Sequence, residues 1–199
     1  MLIRTVRKIA DGIIVSSPDL LEFLPEARFF PVAIDLEEWN LVKYKKDKND
    51  TLTILHAPTD RFIKGTDIIL KTINELKKEG YNIRFLLLEA IPRVEVKKFY
   101  SKADIVIDQI LLGWYGVFSV ECMALGKPVC AYIRDDLKKF AKGCPIINVN
   151  KENIKEKLKK VIESKNLREK ISKKSVKYVK KVHDSVKIAE KIINFYNSC

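Results

Sequence analysis

Between residues 51 and 150 short apolar runs alternate with segments of helical periodicity, and this alternation restricts the fold more than any other feature of the chain. TLTILHA (51–57), NIRFLLLEA (82–90), ADIVIDQ (103–109), PVCAYI (128–133) and PIINVN (145–150) read as strands. Residues 65–78, with Ile68, Ile69, Ile73 and Leu76 at helical spacing, read as a helix that Gly80 stops. Further helices are expected over 93–101 (opened by Pro92), 118–125 (closed by Gly126) and 135–142. Strands and helices that alternate with short connections predict an α/β fold: a doubly wound parallel sheet with helices on both faces. The continuous apolar run 82–90 is expected to be a strand buried on both faces.

Three helices should follow the sheet. Their stripes would be Ile154, Leu158, Val161, Ile162, then Leu167, Ile171, Val179, Val182, then Val186, Ala189, Ile192, Ile193, Tyr196. These stripes would pack on the sheet or on each other, leaving the lysines in water. Residues 1–42 have a different pattern: a strand at DGIIVSS, a helix over 19–24 and a strand at ARFFPVAI. This βαβ-like piece is too small to stand alone and should dock on the main domain or on a further one. KYKKDKND (43–50) reads as a linker, which leaves 51–199 as the main domain.

The chain has 199 residues and a net charge of +12, with 15 basic and 6 acidic residues from Lys151 to Cys199. The lysines of that tail are dispersed between apolar positions, which favours solvated helix faces over a nucleic-acid surface; attraction to an anionic membrane surface is a middle reading. No apolar run approaches the roughly 18 residues needed to span a bilayer, and the apolar patch near the start is too short for a signal-peptide core. A cytoplasmic protein, with peripheral membrane contact as a further option, is expected. Cys122, Cys130, Cys144 and Cys199 lack close paired spacing, and the only histidines are His56 and His183. A metal site is therefore not expected; Cys122 and Cys130 read as buried thiols.

In an open parallel sheet, ligands bind beyond the carboxyl ends of the strands. After the first strand, HAPTDRFIKGT places Arg61 and Lys64 just before Gly65 and a helix start, where an anion such as a diphosphate is favoured. The competing reading is an ordinary loop with surface cations. Neither a Walker loop nor a G-x-G-x-x-G fingerprint occurs, so nucleotide hydrolysis of the Walker type and nicotinamide chemistry lose support. After the third strand, Gly113 and Gly116 flank Trp114 and Tyr115 before a helix, and permit close backbone approach to a ligand. Glu121, one turn into that helix, can accept hydrogen bonds from a sugar's paired hydroxyls, or can be a solvated carboxylate; Trp114 and Tyr115 can equally be core. His56 reads as a phosphate contact or a structural residue, and His183 as a surface or cap residue.

RFIKGT, ADIVIDQ and GVFSVECMALGKPVCAYI together resemble the C-terminal, donor-binding Rossmann-like domain of GT-B glycosyltransferases, most nearly the large retaining family 4, or group 1. The similarity runs over about 51–150, and ADGIIVSSPDLLEFLPEARFFPVAIDLEEW resembles the end of the N-terminal domain and the crossover. The resemblance implies a nucleotide-diphosphate sugar as donor, hexosyl transfer, and no metal or other cofactor. It implies that Arg61 and Lys64 hold the diphosphate and neutralise the leaving group. Glu121 would bind the ribose hydroxyls, matching the second acid of an E-x(7)-E motif. Tyr115, Gly116, Val117 and Phe118 would offer backbone N–H groups to phosphate, and the base would lie against Glu89 to Pro92, at Ile91.

Two departures matter. The first acid of E-x(7)-E falls on Gly113, leaving Asp108 and Gln109 as nearby polar candidates. A complete two-domain enzyme of this fold is about twice as long, so residues 1–42 are expected to be only the remnant of the acceptor-binding half. The leading expectation is the donor half of a glycosyltransferase, either a truncated gene product or one subunit of a split enzyme, with a separate acceptor-domain chain or an oligomer as an optional partner. The alternatives are a non-catalytic module that binds a nucleotide-sugar or a partner, a sugar-nucleotide 2-epimerase, and, last, charge-driven nucleic-acid binding without a recognised motif.

Overall fold

The computed structural model describes residues 5, 7, 9–40 and 51–198. The expected linker 43–50 lies outside the described residues.

Five parallel strands form the central sheet: β3 (Leu52–His56), β4 (Ile83–Leu87), β5 (Ile105–Ile107), β6 (Val129–Ala131) and β7 (Ile147–Asn148). Their order is β4-β3-β5-β6-β7, so the chain reverses its direction of winding next to β3. Side chains alternate across a strand, and both faces of this sheet carry apolar residues. Ile54, Ile105, Ile107 and Cys130 point to one face, where Ile69, Ile73 and Leu76 of α2 (Thr66–Lys78) and Ile154, Leu158 and Val161 of α5 (Ile154–Glu163) cover them. Leu55, Val106, Val129 and Ala131 point to the other, against Val120, Met123 and Ala124 of α4 (Val117–Ala124) and Tyr178 and Val179 of α6 (Lys165–Val182). Each fully buried aliphatic side chain stabilises by about 1.5–3 kcal/mol relative to exposure, so two dry faces anchor the fold.

β4 departs from expectation. It is an edge strand, and of its residues only Ile83 is buried. Continuous apolar character cannot distinguish an edge from the sheet centre; strand order decides that. Two expected helices are instead short 3-10 helices, Pro18–Glu22 and Asp135–Phe140.

The N-terminal piece docks on the main domain. β1 (Ile14–Val15) and β2 (Arg28–Phe29) form a small parallel pair. Phe29 meets Trp114 and Phe140 edge-on, with centroids 5.9 and 5.4 Å apart, and Arg134 pairs with Glu22. At His183 the helices break. Ile34 N–H donates to His183 O at 2.9 Å, and Ser185 N–H donates to Ile34 O at 3.1 Å. This turn directs α7 (Ser185–Tyr196) along the N-terminal segment, where Phe195 meets Phe30. The expected stripe of α7 is therefore corrected: Val186, Ile193 and Tyr196 are exposed, and Ile188 is its buried residue.

On the other side, Lys155 and Lys159 of α5 pair with Glu75 and Glu79 of α2, as solvated faces would. Among the described residues, no helix is long and apolar enough to cross a membrane, and no group of His, Cys, Asp and Glu could hold a metal ion. Cys122 and Cys130 are buried thiols, raised in pKa by desolvation, Cys130 to about 12.

Candidate functional site

The carboxyl ends of β3, β4 and β5 open onto one region. Beyond β3, Asp60 caps a single helical turn, α1 (Arg61–Lys64), by accepting from Ile63 N–H at 2.8 Å. Gly65 then takes a left-handed φ of 75°. An added Cβ there would lie 2.7 Å from Ile110 Cγ1. Only glycine lets α1 turn directly into α2 while packed against the loop after β5.

Arg61 and Lys64 are thus on a helical turn rather than in an extended loop, and they point to different partners. Arg61, half-exposed, makes a two-pronged pair with Glu89 beyond β4, at 2.7 and 2.5 Å. The pair lowers the Glu89 pKa, chiefly through the hydrogen bond. Lys64 is buried. Its ammonium donates to Asp108 Oδ1 at 2.6 Å and to Gln109 Oε1 at 2.8 Å.

The loop after β4 passes through Ala90, whose φ of 52° is unfavourable for a residue with a side chain. Ile91 follows, half-buried against the core. Arg93 then begins α3 (Arg93–Lys102) and reaches Glu121 of α4, with Nη1 2.5 Å from Oε1. Its guanidinium carbon lies 5.0 Å from the centre of the Trp39 ring, which stacks on Tyr100.

Glu121 is almost wholly buried, 1 % exposed. Burial raises its pKa, and the contact with Arg93 opposes that rise. The solvated reading of this carboxylate is corrected. The close Arg93 contact is poorly aligned, so Oε1 is buried without a hydrogen bond among the described residues. Native structures leave few such groups unsatisfied.

Gly113 packs against Arg134: an added Cβ would lie 2.7 Å from Arg134 Cβ. No larger residue fits here without a backbone shift. Tyr115 and Phe118 turn their side chains into the core. Gly116 caps α4 and Val117 begins it, with Val117 exposed toward solvent. The first N–H groups of α4 have no intrahelical acceptor, so Val117 and Phe118, next to Gly116 whose N–H donates to Asp108 Oδ2, can offer N–H groups to an anion.

Both histidines are structural. His56 is fully buried: Nδ1 donates to Ile107 O at 2.8 Å, so Nε2 accepts from Thr66 Oγ1 at 2.9 Å. Its ring fixes the start of α2, and burial lowers its pKa. His183 caps α6 but is 1 % exposed, which corrects the surface placement. Its Nδ1 donates to Val32 O at 2.7 Å, and Nε2 accepts from Tyr115 Oη at 3.2 Å. Tyr115 Oη in turn lies 3.0 Å from Tyr178 Oη. Desolvation lowers the His183 pKa to about 4. This chain of side chains ties the Gly113–Gly116 loop to α6 and to the N-terminal segment.

Sequence reasoning did not single out Arg93 or Trp39. Nothing separates Arg93 from the other cations until strand order brings α3 beside α4.

The sequence profile of the family described as glycosyl transferases group 1 matches residues 70–178, over half of the chain. The chain belongs to that family. The match includes Arg93, Asp108, Gly113, Gly116 and Glu121 and begins beyond Arg61 and Lys64. No curated protein matches the sequence. Solved structures share the fold of this family member at low identity. HepE from Anabaena, solved with UDP-glucose, is 14% identical with a TM-score of 0.74, over 98% of this chain and 66% of HepE. Sucrose-phosphate synthase from Thermosynechococcus elongatus is 17% identical with a TM-score of 0.74, over 100% and 60%. TarM from S. aureus, solved with UDP among its ligands, is 16% identical with a TM-score of 0.71, over 98% and 45%. The chain thus spans less than two thirds of these proteins, and its Rossmann-like sheet belongs to the GT-B architecture they share.

Proposed function

We propose that this chain carries the donor site of a glycosyltransferase that uses a nucleoside-diphosphate sugar. The observation that carries the reading is Glu121: a buried carboxylate oxygen without an aligned donor, on the helix whose start faces Lys64. The vicinal hydroxyls of a ribose would supply the missing hydrogen bonds. The diphosphate would lie over Gly116, reached by Lys64, by the first N–H groups of α4 and by Arg61 released from Glu89. The base would pack against Ile91. Positive charge and fixed N–H groups at the diphosphate stabilise the negative charge that develops as the sugar–phosphate bond breaks. Nucleotide complexes of HepE and TarM make uracil the first base to test. Transfer also needs an acceptor wall that excludes water, supplied by a second chain, an oligomer or further sequence.

The test is calorimetric titration with UDP, GDP and ADP, repeated with Lys64→Ala and Glu121→Ala. One nucleotide should bind, and both substitutions should weaken it. Undiminished binding by both variants rejects this site.

The second reading is a module that binds a nucleotide-sugar without transferring the sugar. The internal pairing of Arg61, Lys64 and Arg93 with Glu89, Asp108 and Glu121 favours it, as does the absence of room for an acid at Gly113. Donor hydrolysis or transfer by the purified chain, alone or with a partner, would reject it.

A further inference from the structure

The start of α4 already holds an anion, and that anion belongs to the chain. Asp108, at the end of β5, is fully buried. Its Oδ1 accepts from the Lys64 ammonium at 2.6 Å. Its Oδ2 accepts from the Ser119 hydroxyl at 2.6 Å and from Gly116 N–H at 3.4 Å. A Cβ added to Gly116 would lie 3.8 Å from both Asp108 Oδ2 and Lys64 Nζ, so the bare face of the glycine overlooks this pair. The carboxylate therefore occupies the environment that attracts a phosphate: a helix start, a hydroxyl and an ammonium.

We propose that Asp108 is a resident anion in the phosphate cradle, which holds Lys64 and the start of α4 in place while the site is empty and lowers affinity for an incoming diphosphate by like-charge repulsion. The identity of the ligand rests on the donor-site reading above; the competition between Asp108 and an external anion does not.

The geometry requires both halves of this role. Lys64 is buried, and a buried ammonium without a counter-ion is strongly unfavourable. Asp108 therefore stabilises the empty site. An ammonium has three N–H donors, and Asp108 and Gln109 take two of them. Gln109 is itself fixed by donating to Trp114 O. Among the described residues, one Lys64 N–H remains for a ligand, together with the first free N–H groups of α4. Asp108 keeps Ser119 and Gly116 occupied. An external diphosphate thus meets a cradle whose shape is preformed and whose ammonium charge is already balanced by the Asp108 carboxylate. Asp108 is a positioning residue that sets affinity through Lys64, and nothing in the geometry requires it to touch the sugar.

The test uses Asp108→Asn, which keeps the shape and removes the charge. Inorganic pyrophosphate and the three nucleoside diphosphates are titrated by calorimetry into both chains at one pH and ionic strength, with circular dichroism to check the fold. Asp108→Asn should bind pyrophosphate about tenfold tighter or more, the order expected from removing one adjacent like charge. Ser119→Ala, which removes a hydrogen bond and no charge, should stay within about threefold of the unaltered chain. Pyrophosphate binding by a folded Asp108→Asn no tighter than by the unaltered chain overturns the proposal.

Should Asp108→Asn fail to fold, Lys64→Gln is compared with Lys64→Gln/Asp108→Asn, whose pair is neutral. The double variant should bind pyrophosphate tighter than Lys64→Gln, and equal or absent binding by both overturns the proposal. Nucleoside diphosphates that bind no better than pyrophosphate to any of these chains reject the donor reading while leaving the resident anion standing.

Discussion

Arg93 Nη1 lies 2.5 Å from Glu121 Oε1, and this contact joins a largely exposed cation to a carboxylate with 1 % side-chain exposure. The ion pair is asymmetric. Arg93 is free to leave for water or for a ligand, whereas Glu121 has no such alternative. Desolvation already raises the Glu121 pKa, and Arg93 opposes the rise.

Arg93→Ala should therefore raise the Glu121 pKa further. A carboxyl whose folded pKa lies above its unfolded value binds more protons when folded. Its stabilisation is complete below the unfolded value, near 4.5, and is lost as pH rises through the folded value. Urea unfolding from pH 4 to 8 should show Arg93→Ala losing about 1–2 kcal/mol more than the unaltered chain toward neutral pH. Glu121→Gln in the same background should remove that extra slope.

His183 gives the opposite sign. Its folded pKa is near 4, against an ordinary 6.5. The unfolded chain takes up the proton first, so the contribution is complete above pH 6.5 and is lost as pH falls toward about 4. The loss over that window should reach about 3 kcal/mol at most. His183→Gln should flatten this part of the unfolding profile, while His56, also depressed by burial, leaves a residual slope in both chains.

Gly113→Glu, which restores the acid of E-x(7)-E, should not create a working site. Its Cβ would press against Arg134 Cβ. We expect destabilisation by about 1–3 kcal/mol, as for overpacked positions, and no gain in nucleotide affinity by calorimetry. Tighter binding by a stable Gly113→Glu would show that the loop can open to admit an acid.

Gly65→Ala should be costlier, because the left-handed φ and the approach to Ile110 act together. About 2–4 kcal/mol is expected, with a melting temperature lower by more than about 5 °C. Since Lys64 immediately precedes Gly65, pyrophosphate affinity should fall as well.

Much of the fold was legible because it rests on local periodicity. The alternation over 51–150 located all five strands, and the stripe Ile154, Leu158, Val161, Ile162 is the buried face of α5. The stripe of α7 misled, since the turn set by Ile34 and His183 directs the helix so that Ile188 is buried while Val186, Ile193 and Tyr196 stay exposed. Among the candidate site residues, Arg61, Lys64, Gly116 and Glu121 were singled out from their places after strands and at helix starts. Arg93 and Trp39 were not, because their roles come from packing between separate segments.

The sequence by itself determined the β-α alternation, the helix starts and the glycines beside them, since these follow from the residue period and from backbone sterics within a few positions. Tertiary structure alone decided that β4 lies at the edge, that His183 is buried, and that Lys64 meets Asp108, Arg61 meets Glu89 and Arg93 meets Glu121. Those pairings join residues far apart in the chain. They exist because the order β4-β3-β5 brings three loops to one end of the sheet, and residue spacing carries no record of strand order.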